Sequence, residues 1–225
     1  MRLNPLDEKM MRVVRNQAMK TFKSQIGFEE NLKKLVSEMN KLTSNDVKFD
    51  TKLLEKSSEN SAPVTFIGIE ENEYFSMSMF VLKDGSRLPL HDHPMMHGLC
   101  KVILGKIHIK NYSFIGDPLA SHDKEEVLVQ KEDDKFVTPV DETVLLTPNK
   151  GNIHELSAEQ GPAVFLDILA PPYFTNIPGV GARKCHYYKR TLENGKSSNA
   201  LQETLVKLKS PPGYWTDEAP YLGTL

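Results

Sequence analysis

Gly85-Ser86-Arg87-Leu88-Pro89-Leu90-His91-Asp92-His93 decides the fold, because a glycine stands six positions ahead of an H-x-H pair. Residues two apart on a strand face the same side of a sheet, so His91 and His93 present two imidazoles together. A third imidazole on a neighbouring strand would complete a three-nitrogen site with open positions. His154, in Gly151-Asn152-Ile153-His154, is the candidate. Open positions suit a catalytic metal, since structural sites are usually closed.

Working downstream, the pattern that opens with Gly85 and His91-Asp92-His93 is the first half of the cupin motif. It usually continues with a carboxylate four or five residues after the second histidine. His97 and Gly98 hold that place here, and Gly105 suits the closing glycine. Pro148-Asn149-Lys150-Gly151-Asn152-Ile153-His154 matches the second half with one extra residue between proline and glycine. The barrel signal is therefore complete and the carboxylate ligand is missing. Three neutral imidazoles leave a divalent centre with its full charge, which favours an anionic ligand such as a thiolate. Two histidines and one carboxylate are the better-known set for non-haem Fe(II) oxygenases.

The other histidines read differently. His97 is a fourth ligand, a hydrogen-bonding neighbour of the ligands, or a packed side chain, the last two being favoured. His108, between Ile107 and Ile109, is an ordinary strand residue. His122 lies in a charged loop, where exposure is expected. His186 carries no assigned role.

Outward from the motif, three stretches follow one another without internal repeats. Val13, Val14, Ala18 and Phe22 recur at helical spacing, as do Phe28, Leu32, Leu35, Val36, Met39 and Leu42. Gly27 separates the two segments and Thr43-Ser44-Asn45-Asp46 ends the second, so residues 1–60 are expected to supply two amphipathic helices covering a core. Residues 56–61 read as a linker or loop. From Val64 onward short strands separated by Gly, Pro and Asp predict a mainly β sandwich or barrel. Candidates are 64–69, 74–82, 101–104, 106–110, 126–130, 143–146, 153–156 and 163–169, with a bend or tight turn at Gly105. The polar stretches 117–125 and 131–134 read as solvated loops. Residues 61–190 are the expected core, and 191–225 a tail on the barrel, with a loop at 194–199 and the single tryptophan, Trp215.

Composition removes several classes of function. With 28 Lys and Arg against 30 Asp and Glu, the net charge is −2, so no bulk pull toward nucleic acid or an anionic membrane is expected. No apolar run approaches the length needed to span a bilayer. The opening residues lack the apolar core of a signal peptide. Two cysteines, Cys100 and Cys185, in such a chain argue for a reducing compartment without a disulfide framework. The cytosol, with the nucleus as a further location, is the expected compartment. Cys100 reads most simply as a small core residue.

At Leu88-Pro89-Leu90-His91-Asp92-His93-Pro94-Met95-Met96-His97-Gly98-Leu99 the chain resembles the family of cysteamine (2-aminoethanethiol) dioxygenases and plant cysteine oxidases. Three more stretches agree in order: Thr147-Pro148-Asn149-Lys150-Gly151-Asn152-Ile153-His154-Glu155, Asp167-Ile168-Leu169-Ala170-Pro171-Pro172-Tyr173, and Cys185-His186-Tyr187-Tyr188. Met95 departs from the pattern, standing where animal members carry a glycine. The resemblance covers about residues 30 to 215.

The resemblance implies a cupin (double-stranded β-helix, jelly-roll-like) barrel with N-terminal helices, holding Fe(II) through His91, His93 and His154. It implies addition of both atoms of O2 to the sulfur of cysteamine or of an N-terminal cysteine on peptides and proteins. It implies a monomer and, through N-terminal cysteine oxidation, a role in oxygen sensing. Asp167 would hold the substrate amine or order a loop. Tyr173 would hydrogen-bond substrate or oxygen, or pack beside Pro171 and Pro172. Cys185 and Tyr187 match a pair that can form a thioether crosslink in animal members; an unmodified pair is the alternative. A zinc-dependent sugar isomerase would need the absent carboxylate. A non-catalytic or differently specific metal-binding cupin is the other alternative, and the intact histidine set argues against it.

Overall fold

The structure, a computed structural model, describes residues 7–55, 62–191 and 201–225. The expected linker at 56–61, the loop at 194–199 and the opening residues 1–6 lie outside the described residues.

The two apolar periodicities form α1 (Asp7–Phe22) and α2 (Phe28–Asn40). Gly27 turns the chain between them at φ 68°, a backbone region that side chains disfavour. Glu29 and Glu30 then sit in the first turn of α2, where the helix dipole favours negative charge. Val14 and Ala18 of α1 and Leu35 and Met39 of α2 are fully buried, while Glu29, Glu30, Lys33 and Lys34 face solvent. Arg15 clamps α1 to the β-structure through two hydrogen bonds to Glu70, at 2.8 and 3.0 Å. Asn40 accepts from the backbone N–H and hydroxyl of Thr143, both at 2.7 Å, and ties down the end of α2.

The helices pack on a six-stranded sheet. Its order is β15 (Thr216–Glu218), β1 (Val64–Glu71), β2 (Ser76–Leu82), β10 (Ala163–Ala170), β4 (His97–Leu104) and β8 (Val144–Leu146). Strand alternation divides its side chains cleanly. Met77, Met79, Val81, Leu99, Ile103, Leu166 and Ile168 point to the helices. Leu82, Cys100, Val102, Ala163 and Phe165 point to the second sheet, where they meet Leu88, Ile107, Ile109 and Leu156.

That second sheet runs β6 (Glu126–Lys131), β14 (Gln202–Leu208), β13 (Tyr187–Arg190), β3 (Arg87–Asp92), β9 (Ile153–Ala158), β5 (Ile107–Phe114) and β7 (Lys135–Val137). β6 also pairs with β5, so six of these strands close into a ring. The ring is filled by its own apolar cluster, including Leu90, Tyr112, Val129, Ile153, Tyr188 and Leu205. The layers are thus helices, sheet, and a sheet curled shut on its far side. The mainly β, cupin-type architecture with N-terminal helices is as expected.

Gly105 is not the tip of a hairpin: β4 and β5 lie in different sheets, and the chain crosses between them there. Its φ is 77°, and a Cβ would stand 2.2 Å from the carbonyl oxygen of Pro162. The stretch 191–225, expected as a covering tail, instead contributes strands. β14 helps close the ring, and β15 runs parallel to β1. Alternation in 202–208 is weak, which is why composition alone did not mark it as a strand. A short hairpin, β11 (Asn176–Ile177) and β12 (Gly181–Ala182), follows β10.

Leu35 is 0% exposed between helix and sheet. Leu35→Ala is expected to cost about 2–5 kcal/mol of stability, because the lost methyl groups leave a cavity that the sheet beneath cannot fill. Denaturant titration of the variant checks this.

Candidate metal centre

β3 should not, by simple alternation, face Leu88 and His91 to the same side. It does, because the pairing of β3 with β9 shifts register between Leu88 and His91. Pro89 lies within that shift. It has no N–H to give to a ladder, so it belongs at a bulge or an edge. A bulge next to a site re-aims the side chain that follows it. As a result Leu88, His91 and His93 all line one cavity. His93 itself lies one residue past the end of β3. Across the ladder, His91 is paired directly with His154 on β9.

The three imidazoles are 2–7% exposed, and their ligand nitrogens all lie within 4.8 Å of one another. Nε2 of His93 and Nε2 of His154 are 2.9 Å apart. Burial lowers the proton affinity of all three rings, and the neighbouring imidazoles add to this at His93 and His154. They are neutral imidazoles rather than cations.

Hydrogen bonds at the far nitrogens set the tautomers. Nδ1 of His91 lies 2.7 Å from the carbonyl oxygen of Pro89, so it carries the proton. The Tyr173 hydroxyl lies 2.6 Å from the carbonyl oxygen of Asp92 and 2.8 Å from Nδ1 of His93. A carbonyl can only accept, so the tyrosine donates to it and His93 Nδ1–H donates to the tyrosine. Nε2 of both residues is then a bare lone pair aimed into the cavity. Three buried neutral imidazoles, two of them so oriented, fit a divalent transition metal such as iron, zinc or copper.

The backbone at the site is held from three sides. Asn152 is fully buried; its side-chain oxygen accepts from His93 N–H at 3.1 Å, and its amide donates to His93 C=O at 2.8 Å. Asp92, between the two histidines, points away from them. Its carboxylate accepts from the His186 N–H at 2.7 Å and the Tyr188 hydroxyl at 2.8 Å, and lies 2.9 Å from Nδ1 of His186. The buried Arg183 donates to the carbonyls of Pro94 and Met95 and, at 3.1 Å, to the Thr175 hydroxyl. Met95 takes φ 55°, the left-handed region glycine enters freely, so this departure carries about 1 kcal/mol of strain.

The cavity measures about 170 Å³. Phe80, Leu88, Phe165 and Leu169 give it apolar walls. Asp167, Tyr173, Cys185 and Tyr187 also line it, so the structure brings these four together with the three imidazoles. Asp167 is 8% exposed, and burial pushes its carboxyl up to about 7. It faces Cys100 across β10 and β4, and burial pushes that thiol up too. Cys185 lines the cavity beside Tyr173 and Tyr187, and burial pushes its thiol up to about 12.

His97 stands apart. Its ring packs edge-on against Phe28 of α2 at 5.0 Å and does not line the cavity. Of the alternatives open for it, packing is the one that occurs. Gly98 therefore occupies the inward-facing position of the expected carboxylate, and the histidine cluster contains no carboxylate. His108 stacks on Phe136, and His122 packs against His186 instead of lying exposed. Asn152, Arg183, His186, Tyr188 and Tyr214 were not singled out by sequence reasoning. Only the x of H-x-H, Asp92, gave a usable signal, since a carboxylate on the outward face of a buried strand needs partners.

Tyr173→Phe keeps the ring and removes the hydroxyl that fixes His93. Metal affinity is expected to fall about 10–100-fold with little change in fold, as measured by competition against a chelator.

The chain matches the family profile described as PCO_ADO over residues 32–224. It is 34% identical over 227 residues to 2-aminoethanethiol dioxygenase of Homo sapiens, covering 88% of this chain and 82% of that protein. It is 34% identical over 223 residues to the Mus musculus protein of the same name, covering 88% and 85%. To plant cysteine oxidase 1 of Arabidopsis thaliana it is 33% identical over 160 residues, covering 71% of this chain and 53% of that protein.

Proposed function

The chain belongs to the PCO_ADO family, and on that premise we propose that it is a non-haem iron thiol dioxygenase. Its substrates are cysteamine and the N-terminal cysteine of peptides or proteins, and its co-substrate is O2. The observation that carries this reading is one cavity holding three neutral imidazoles and a buried carboxyl whose proton affinity burial raises. The first set suits a metal that takes an anionic thiolate; the second suits the ammonium group two carbons from that thiol.

His91, His93 and His154 would hold the iron. Bound there, it supplies the redox chemistry that joins both oxygen atoms to sulfur and gives a sulfinic acid. The residues of the chain do the rest. Asp167 holds the substrate ammonium group and so fixes which way the two-carbon unit lies. Phe80, Leu88, Phe165 and Leu169 keep water away from the sulfur. Tyr173 positions His93, its hydroxyl being spent on that ring and on Asp92. Cys185 and Tyr187 adjoin each other on the wall, where a thioether crosslink between them would stiffen the cavity. The helices, barrel and C-terminal strands act as one unit, a monomer working in the reducing cytosol or nucleus. No helix among the described residues is long and apolar enough to cross a membrane.

The test is oxygen uptake by iron-loaded protein with cysteamine and with a Cys-initiated peptide. A gain of two oxygen atoms by mass spectrometry is expected, and no gain on either thiol overturns the reading. The ratio of kcat/KM for the two substrates ranks them. A role in oxygen sensing requires a rate that stays oxygen-limited across physiological O2, and a KM for O2 far below that range sinks it.

A further inference from the structure

A second cavity, of about 330 Å³, lies on the other face of β3 and runs into the closed six-stranded ring. We propose that it is a binding site for a small carboxylate with an apolar body, separate from the metal centre. The size is at the lower end of small-molecule sites.

Two observations point to such a ligand. The first is Tyr112, which is 1% exposed and lines the cavity. Its hydroxyl is, among the described residues, the only fully buried side-chain nitrogen or oxygen with no hydrogen-bond partner. Leaving such a group unpaired is costly, and proteins rarely do it without a reason. The second is the charge of the rim. Arg87, Lys110, Lys189 and Arg190 line the cavity, against Glu155 alone among carboxylates. Arg190 is paired with Glu203, and Lys110 and Arg87 share Glu155 at 3.1 and 3.8 Å, yet the cations still exceed the carboxylates by two. Leu90, Leu208, Pro211 and Pro212 add apolar wall to the same cavity. A buried unpaired donor on the lining side chain Tyr112, an excess of cations and apolar walls favour an acceptor-bearing anion with a hydrocarbon portion. The metal cavity has no part in this. Only β3, β9 and β13 contribute to both cavities, and the two share no lining residue.

Isothermal titration of the metal-loaded protein with 4-phenylbutyrate tests the proposal, with 4-phenylbutan-1-ol as the uncharged counterpart. Saturable one-site binding of the carboxylate is expected, with the alcohol at least about ten-fold weaker. Tyr112→Phe, which keeps the ring, should weaken binding about ten-fold or more. Arg87→Met, at the exposed rim, should weaken it less, and both variants should keep the wild-type Tm or exceed it. Binding should survive removal of the metal by a chelator. The proposal is overturned by absence of saturable binding up to about 10 mM, by equal affinity for the alcohol, or by an affinity that Tyr112→Phe leaves unchanged. Loss of binding on chelation places the carboxylate on the metal and overturns it equally.

Discussion

His154→Ala is expected to lose bound iron and thiol oxidation together, with turnover falling on the order of 10³-fold or more. His154 is the one imidazole of the cluster contributed by β9, and it faces His91 directly across the ladder. His91 and His93 alone would leave the cation with two nitrogens and no replacement, because the cluster contains no carboxylate. The fold should tolerate the change. The imidazole is neutral, held so by burial, and its removal leaves no charge unpaired. Metal analysis, oxygen uptake and the thermal melt of the metal-free variant check the three parts. Stoichiometric iron with normal turnover in His154→Ala would remove this residue from the site.

The second large effect is expected at Asp167. Burial pushes its carboxyl up to about 7, so it gains a proton as pH falls through neutrality. A protonated acid does not pair with an ammonium group, so kcat/KM for cysteamine should show an acid limb, lying below 7 in the metal-loaded enzyme because a divalent cation in the same cavity favours the carboxylate. Asp167→Asn should erase that limb and lower kcat/KM about 10²-fold, the scale of breaking a buried charge pair. Ethanethiol, which lacks the amine, should be insensitive to the substitution. Stability gives an independent readout on metal-free protein. Below about pH 4 the carboxyl is protonated in both folded and unfolded chains. Between about 4 and 7 only the folded chain holds the proton, so stability falls as pH rises through that window. Above 7 the full cost of the buried charge, up to about 4 kcal/mol, is present. Asp167→Asn should therefore be the more stable protein at pH 8 and should lack this slope. A flat pH profile in the wild type would show that Asp167 orders a loop rather than binding substrate.

Much of this site was legible in the sequence because its signals are local. H-x-H places two rings together by strand geometry, and the Pro-to-His motif supplies the third. The helices announced themselves through Leu32, Leu35 and Met39, whose spacing has no rival reading. What escaped depends on register and on long-range pairing. Nothing in Leu88-Pro89-Leu90-His91 states which way the strand turns, yet the shift there decides whether His91 faces metal or solvent. The ring could not be foreseen either. It needs β6 to meet both β5 and β14, and residues 202–208 carry no strong alternation. Asn152 looked like a motif spacer. Its fully buried amide matters only because the loop carrying His93 arrives beside it.

The grip of Asp92 on His186 and Tyr188 spans 94 and 96 residues of chain. Contacts that distant form late, since their loop must close before they contribute. A nascent chain that has emerged only as far as His154 has all three imidazoles but lacks Tyr173, Arg183 and the strand that anchors Asp92. Synthesis order therefore separates possession of the ligands from possession of the site. A site complete with Tyr173, Arg183 and the Asp92 anchor is therefore expected only after the last third of the polypeptide has left the ribosome.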